Sequence, residues 1–165
     1  MVVAGLAVVA MLAFACVALG KASHEGWPKI NGFLMMNSRD QSRPLNGHPS
    51  RHNELLGGHG SDTIQAGNAG DVIWGDYKPC CQPTTQVDRL SGGPGNDHIY
   101  ASHGVNYIYT GGGRDLVHAH FGRGGEIHCD SGRVKVYISH RSKRRYHLFG
   151  CHVLDYRPER VRRGG

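Results

Sequence analysis

The chain has 165 residues, 25 of them glycine, and carries a formal net charge of +6. That length holds one modest domain, and glycine at about twice its ordinary ~7% share, with no Gly-X-Y period, excludes both collagen and a helical bundle. The charge does not indicate nucleic acid: Arg141, Lys143, Arg144, Arg145, Arg157, Arg160, Arg162 and Arg163 all fall within the last 25 residues, with no folded nucleic-acid module beside them.

In chain order, Met1 to Gly20 is apolar and uncharged. Its length suits a membrane span, and Ala18 and Gly20 fit the small-x-small pattern before a signal-peptidase cut. No basic residue precedes the apolar run, so a retained anchor stands beside the cleaved signal. Ala13-Phe14-Ala15-Cys16 weakly resembles a lipoprotein cleavage site. Each reading exports the rest of the chain, and only the anchor implies contact with a membrane. Residues 21–50 are polar and read as loop, with a short strand or cap between Pro28 and Met36.

Internal repeats occupy the centre. Gly57-Gly58-His59-Gly60-Ser61-Asp62-Thr63-Ile64-Gln65 runs directly into a second nonapeptide, Ala66 to Trp74, with Asp71 at the Asp position. Gly92-Gly93-Pro94-Gly95-Asn96-Asp97-His98-Ile99-Tyr100 is a third. Ala101 to Tyr109 is a fourth, with Asn106 replacing the Asp, and Thr110-Gly111-Gly112-Gly113-Arg114-Asp115-Leu116-Val117-His118 is a fifth. The apolar residue two places after the Asp position falls at Leu55, Ile64, Ile73, Leu90, Ile99, Ile108, Val117, Ile127 and Val136. The step is nine residues, apart from ten before Ile127 and 17 between Ile73 and Leu90. Each repeat therefore predicts a turn and a very short strand with one side chain pointing inward.

The 17-residue step is one short of two repeats, so residues 75–86, with Pro79, Pro83 and the Cys80–Cys81 pair, are expected to replace a repeat with an irregular loop. From Val134 to Tyr156 partial alternation predicts final strands that cover the open end, where a bare sheet edge would invite aggregation. The predicted domain thus spans 51–156, and residues 157–165 read as a disordered basic tail.

If Cys16 leaves with the signal, four cysteines remain: Cys80, Cys81, Cys129 and Cys151. An even number in an oxidising compartment predicts disulfides. Cys129–Cys151 is the preferred pair, because it ties the basic C-terminal segment to the repeats. Adjacent Cys80 and Cys81 are left as free, vicinally bonded or bonded between molecules. A four-cysteine metal site is the rival, although no CxxC knuckle spacing is present.

The nonapeptides resemble the hemolysin-type (RTX) calcium-binding repeat G-G-x-G-x-D-x-U-x, where U is a large apolar residue. Gly57 to Gln65 and Gly92 to Tyr100 match at every required position. The resemblance implies an all-β fold: a right-handed parallel β-roll, or β-helix, with two nonapeptides per turn. It also implies Ca2+ held by Gly57, Gly58, Gly60, Asp62, Asp71, Gly92, Gly93, Gly95, Asp97, Gly111, Gly113 and Asp115. Glycine allows the positive φ that turns carbonyls toward a common point, and Ca2+ takes six to eight hard oxygen ligands. Two repeats per turn place loops 18 residues apart on one edge. With the irregular loop counted as a repeat, Asp62, Asp97 and Asp115 share the edge expected to bind ions. Asp71, Asp88 and Asn106 share the other, expected to bind weakly or not at all.

The function expected is that of a secreted calcium-binding binding or structural module, not an enzyme: neither GxSxG nor HExxH occurs. A small metal-dependent hydrolase built on Asp115, His118 and His120, or a transition-metal binder using His118 and His120, is the alternative. Trp74, Tyr100, Tyr109, His118, His128 and Tyr137 follow the inward residues and are predicted to face outward on two sides. They suit either cross-strand stacking or a surface for a cell-surface glycan or protein.

Overall fold

The computed structural model describes residues 33–36, 44–76, 84–131 and 133–157. The segment Met1–Gly20, Cys80, Cys81 and residues 158–165 of the basic tail lie outside the described residues. Among the described residues, no helix is long and apolar enough to cross a membrane.

Short strands alternate between two parallel sheets. Sheet A contains β1 (Phe33–Met36), β3 (Asn53–Leu56), β5 (Val72–Trp74), β7 (His98–Tyr100), β9 (Leu116–His118), β11 (Lys135–Tyr137) and β13 (Val153–Asp155), in that order. Sheet B contains β2 (Leu45–Asn46), β4 (Thr63–Gln65), β6 (Val87–Ser91), β8 (Val105–Tyr109), β10 (Gly124–His128) and β12 (Tyr146–Phe149). The result is an all-β parallel solenoid of about 5 turns.

The core follows from the register. Leu55, Ile73, Ile99, Val117, Val136 and Leu154 stack in one column. Leu45, Ile64, Leu90, Ile108, Ile127 and Leu148 stack in the other. All nine residues of the repeat pattern are buried. A strand this short inserts one such residue per pass, so only stacking on both sides removes it from water.

Two expectations are corrected. First, residues 75–86 do not stand in for a repeat. β6 pairs with β4 in sheet B, aligning Ile64 with Leu90, and β7 pairs with β5 in sheet A, aligning Ile73 with Ile99. The segment is an insertion in the sequence between β5 and β6, here called the excursion, and strand alternation continues across it. Omitting a strand there would leave backbone groups in sheet B unpaired and break the apolar column. The excursion's described ends are tied to each other and to the roll. Asp76 pairs with His59 at 3.0 Å and accepts a bond from Gln86 Nε2 at 3.1 Å.

Second, the C-terminal strands do not lie across the open end. β11 pairs with β9, β12 with β10 and β13 with β11, all parallel, so they add rungs. Between β11 and β12 the loop contains one helical turn, α1 (His140–Lys143), whose N-cap Ser139 accepts the Ser142 N–H at 3.0 Å. Cys129 and Cys151 form a disulfide joining the loop after β10 to the chain just after β12.

Outward aromatic residues form two ladders. Trp74, Tyr100, His118 and Tyr137 stack on sheet A with ring centroids 3.7, 4.3 and 4.9 Å apart. Tyr109, His128 and Phe149 stack on sheet B at 4.6 and 4.4 Å. Inside each ladder the ring faces meet one another, which strengthens the cross-strand pairing.

Candidate calcium-binding edges

Because alternation survives the excursion, the loops sort differently from the sequence expectation. Where the chain passes from sheet B to sheet A, in the loop or at the start of the next strand, Asn53, Asp71, Asp97 and Asp115 form one column, here termed the acidic edge. Where it passes from sheet A to sheet B, Asp62, Asp88 and Asn106 form the other, here termed the mixed edge. Asp71 N–H donates to Asp97 Oδ1 at 2.7 Å across 26 positions, and Asp97 N–H to Asp115 Oδ1 at 3.0 Å across 18. Asp62 N–H donates to Asp88 Oδ1 at 2.8 Å, again across 26 positions. The expected companion of Asp97 and Asp115 was Asp62; the structure puts Asp71 there. Gly92, Gly93, Gly95, Gly111 and Gly113 lie on the acidic edge, and Gly57, Gly58 and Gly60 on the mixed edge beside Asp62.

Every Asp of these columns is buried, and Asp71, Asp88, Asp97 and Asp115 each accept a backbone N–H of the rung before with Oδ1. The second oxygen separates them. Asp71 Oδ2 accepts the Gly67 N–H at 2.8 Å, and its Oδ1 takes both the backbone N–H and the side-chain amide of Asn53. The Oδ2 atoms of Asp88, Asp97 and Asp115 are buried with no hydrogen-bond partner. Burial pushes Asp97 up to about 8, with Asp115 and Asp71 adding repulsion against the backbone bond. Burial likewise pushes Asp88 up to about 7 and Asp115 to about 6, outweighing the nearby Ser102 and Thr110 hydroxyls, which favour the charged forms without making a well-aligned bond to either Oδ2. An orphaned buried carboxylate oxygen is costly unless a cation or a proton meets it.

Backbone completes the donor set. Gly93 has φ +103°, and a Cβ there would collide with the Gly67 carbonyl oxygen. Gly113 has φ +105°, and a Cβ there would collide with the Gly95 carbonyl oxygen. Carbonyls of one rung thus project at the glycines of the next, where only glycine fits. Carbonyl and carboxylate oxygens are the hard donors Ca2+ prefers, so the residues present fit such an ion.

Asn53 and Asn106 occupy the Asp position without a charge. Asn106 Nδ2 donates to Ser102 O, Gly104 O and Tyr146 Oη at 3.1 Å each, and its Oδ1 accepts from Ser102 N and Oγ. Asn53 Nδ2 likewise donates to His48 O at 3.0 Å and Arg51 O at 2.8 Å. In these two loops an amide N–H2 meets the carbonyls that a cation would otherwise draw together.

The family description of the RTX calcium-binding nonapeptide repeat matches residues 50–76 and 84–117, in four copies. The chain carries RTX hemolysin-type repeats. The unmatched residues 77–83 between the RTX blocks fall inside the excursion. Searches of curated proteins and of solved structures gave no match.

Asp88 was not among the metal-site residues expected from sequence, although it stands two places before Leu90, as Asp97 stands before Ile99. Asp115, His118 and His120 are not brought together: among the described residues no three His, Cys, Asp or Glu side chains form a metal-holding group. His118 sits between Tyr100 and Tyr137 in the sheet A ladder, and His120 Nε2 lies 3.1 Å from the Arg157 carbonyl oxygen.

Proposed function

We propose that this chain is an exported RTX module whose Ca2+ ions lock the solenoid along its Asp columns, and that it serves as a binding or structural element and not as a catalyst. The observation that carries the reading is the trio of buried, partnerless oxygens on Asp88, Asp97 and Asp115. Asp97 and Asp115 with the Gly93 and Gly95 carbonyls would hold ions on the acidic edge, and Asp88 with Asp62 on the mixed edge. A bound Ca2+ would supply the positive charge that keeps these carboxylates ionised in the protein interior. The chain's own contribution is to stack the loops so that folding and binding are coupled. Export is supported by the RTX repeats together with the Cys129–Cys151 disulfide.

Calorimetry and native mass spectrometry of the purified protein test this directly. One to three bound Ca2+ are expected, with a melting temperature that falls in EDTA. No calcium heat combined with an unchanged melting temperature would overturn the reading.

A further inference from the structure

The acidic edge has a counterpart of opposite charge. The C-terminal half of the mixed edge encloses a cavity of about 360 Å3, lined by the guanidinium-bearing Arg123, Arg141 and Arg145, by His103 and His120, and by Phe121. We propose that this cavity binds a sugar carrying a sulfate or phosphate ester.

Charge is the first argument. Three arginines line one cavity, and none of the described residues that line it is acidic. Among the described residues none of the three takes part in an ion pair, whereas His59, His128, Lys135 and Arg157 each do. Arg123 is steadied by a bond from Nη1 to Thr84 Oγ1 at 3.1 Å. All three are exposed, and an anion entering the cavity would meet positive charge that no described carboxylate answers. The planar fork of arginine matches the paired oxygens of a sulfate or phosphate ester.

Construction is the second argument. The lining comes from successive rungs held in fixed relation. His103 belongs to the loop between β7 and β8, the run from His120 to Arg123 to the next, and Arg141 to α1. Ser142 Oγ donates to the His120 carbonyl oxygen at 2.6 Å and ties α1 to the neighbouring loop. In the strand register, Asp88 on this edge is followed by Asn106 and then Gly125. The carboxylate is thus lost from the column in the rungs where the arginines gather.

Phe121 gives the class of ligand. It is 73% exposed at the cavity wall, with one face toward the His103 ring at 5.6 Å. An exposed ring beside an oxyanion site suits a compact ligand with an apolar face and a charged substituent. A monosaccharide ester has that form, and the cavity is at the small end of ligand sites, which begin at about 300 Å3.

The test uses the full chain in calcium-containing buffer at low ionic strength. Titrations of glucosamine 6-sulfate and glucose 6-phosphate are compared with the parent sugars, inorganic sulfate and adenosine monophosphate. One ester at least should bind about tenfold tighter than its parent sugar and than the inorganic anion. The better of the two identifies the ester. Arg123→Ala and Arg145→Ala should each weaken it about tenfold, Phe121→Ala should remove the advantage over inorganic sulfate, and Arg162→Ala/Arg163→Ala should leave affinity unchanged. A cooperative thermal melt at the wild-type temperature, with or without calcium, certifies in every variant that the roll has folded. No preference for the esters, affinity insensitive to Arg123 and Arg145, or tighter binding of the nucleotide would overturn the proposal.

Discussion

Replacing Asp97 by Asn should stabilise the calcium-free protein and destabilise the calcium-loaded one. Asp97 is fully buried; Oδ1 holds the Asp71 N–H at 2.7 Å and Oδ2 has no partner. Asn106 shows what an amide does in an equivalent loop: its oxygen keeps the acceptor role and its N–H2 engages the loop carbonyls. The folded cation-free chain holds the Asp97 proton up to about pH 8, against ~3.9 for a free carboxyl. A raised folded value means that stability is fully present at acid pH and is lost as pH rises from about 4 to about 8. Each pH unit across that window corresponds to about 1.4 kcal/mol per carboxylate. Asn does not titrate and escapes this protonation cost, which between about pH 4 and pH 7.5 amounts to at most about 5 kcal/mol, so the calcium-free variant should melt several degrees above the wild type at pH 7.5. With calcium the order should reverse, because the variant has lost a ligand. Thermal melts followed by circular dichroism, in EDTA and in excess calcium, measure both arms. A variant that melts below the wild type in EDTA at pH 7.5, or that gains as much from calcium as the wild type, refutes the reasoning.

In EDTA the wild type should lose stability between pH 4 and pH 8, as Asp88, Asp97 and Asp115 share the same direction; urea titrations at three pH values suffice, and a rise with pH would contradict the orphaned-carboxylate account. Asn106→Asp should do the opposite of Asp97→Asn: it removes the amide bonds to Ser102, Gly104 and Tyr146, costs about 1–3 kcal/mol without calcium, and should recover part of that when calcium is added. Gly113→Ala meets the Gly95 carbonyl oxygen at φ +105°, and should weaken calcium binding in a titration while leaving the disulfide intact. Cys129→Ser/Cys151→Ser opens a link across 22 positions, which should lower stability by about 3 kcal/mol in chemical denaturation.

Much of the roll was legible because its information is local. A glycine that tolerates positive φ, an Asp that holds a turn and one apolar residue two places later are properties of nine consecutive residues. The positions from Leu55 to Val136 all became core. The aromatic positions after them became two stacked ladders on opposite sheets. The short α1 turn was not expected from sequence, since its four residues are too few to show a helical period. Asp88 was visible at the right offset from Leu90 but stood beside an excursion rich in Pro and Cys.

Nine consecutive residues were enough to specify the kind of rung: short strand, tight turn, buried apolar residue, carboxylate at the bend. Which bends share an edge was fixed by long-range strand pairing instead. That depends on how residues 75–86 are absorbed. Counting them as a missing repeat puts Asp62 above Asp97 and Asp115; leaving them outside the ladder puts Asp71 there. Residue spacing alone does not distinguish the two. The pairing of β4 with β6 does, because a sheet that skips a strand would strand its backbone hydrogen bonds and break a continuous apolar column.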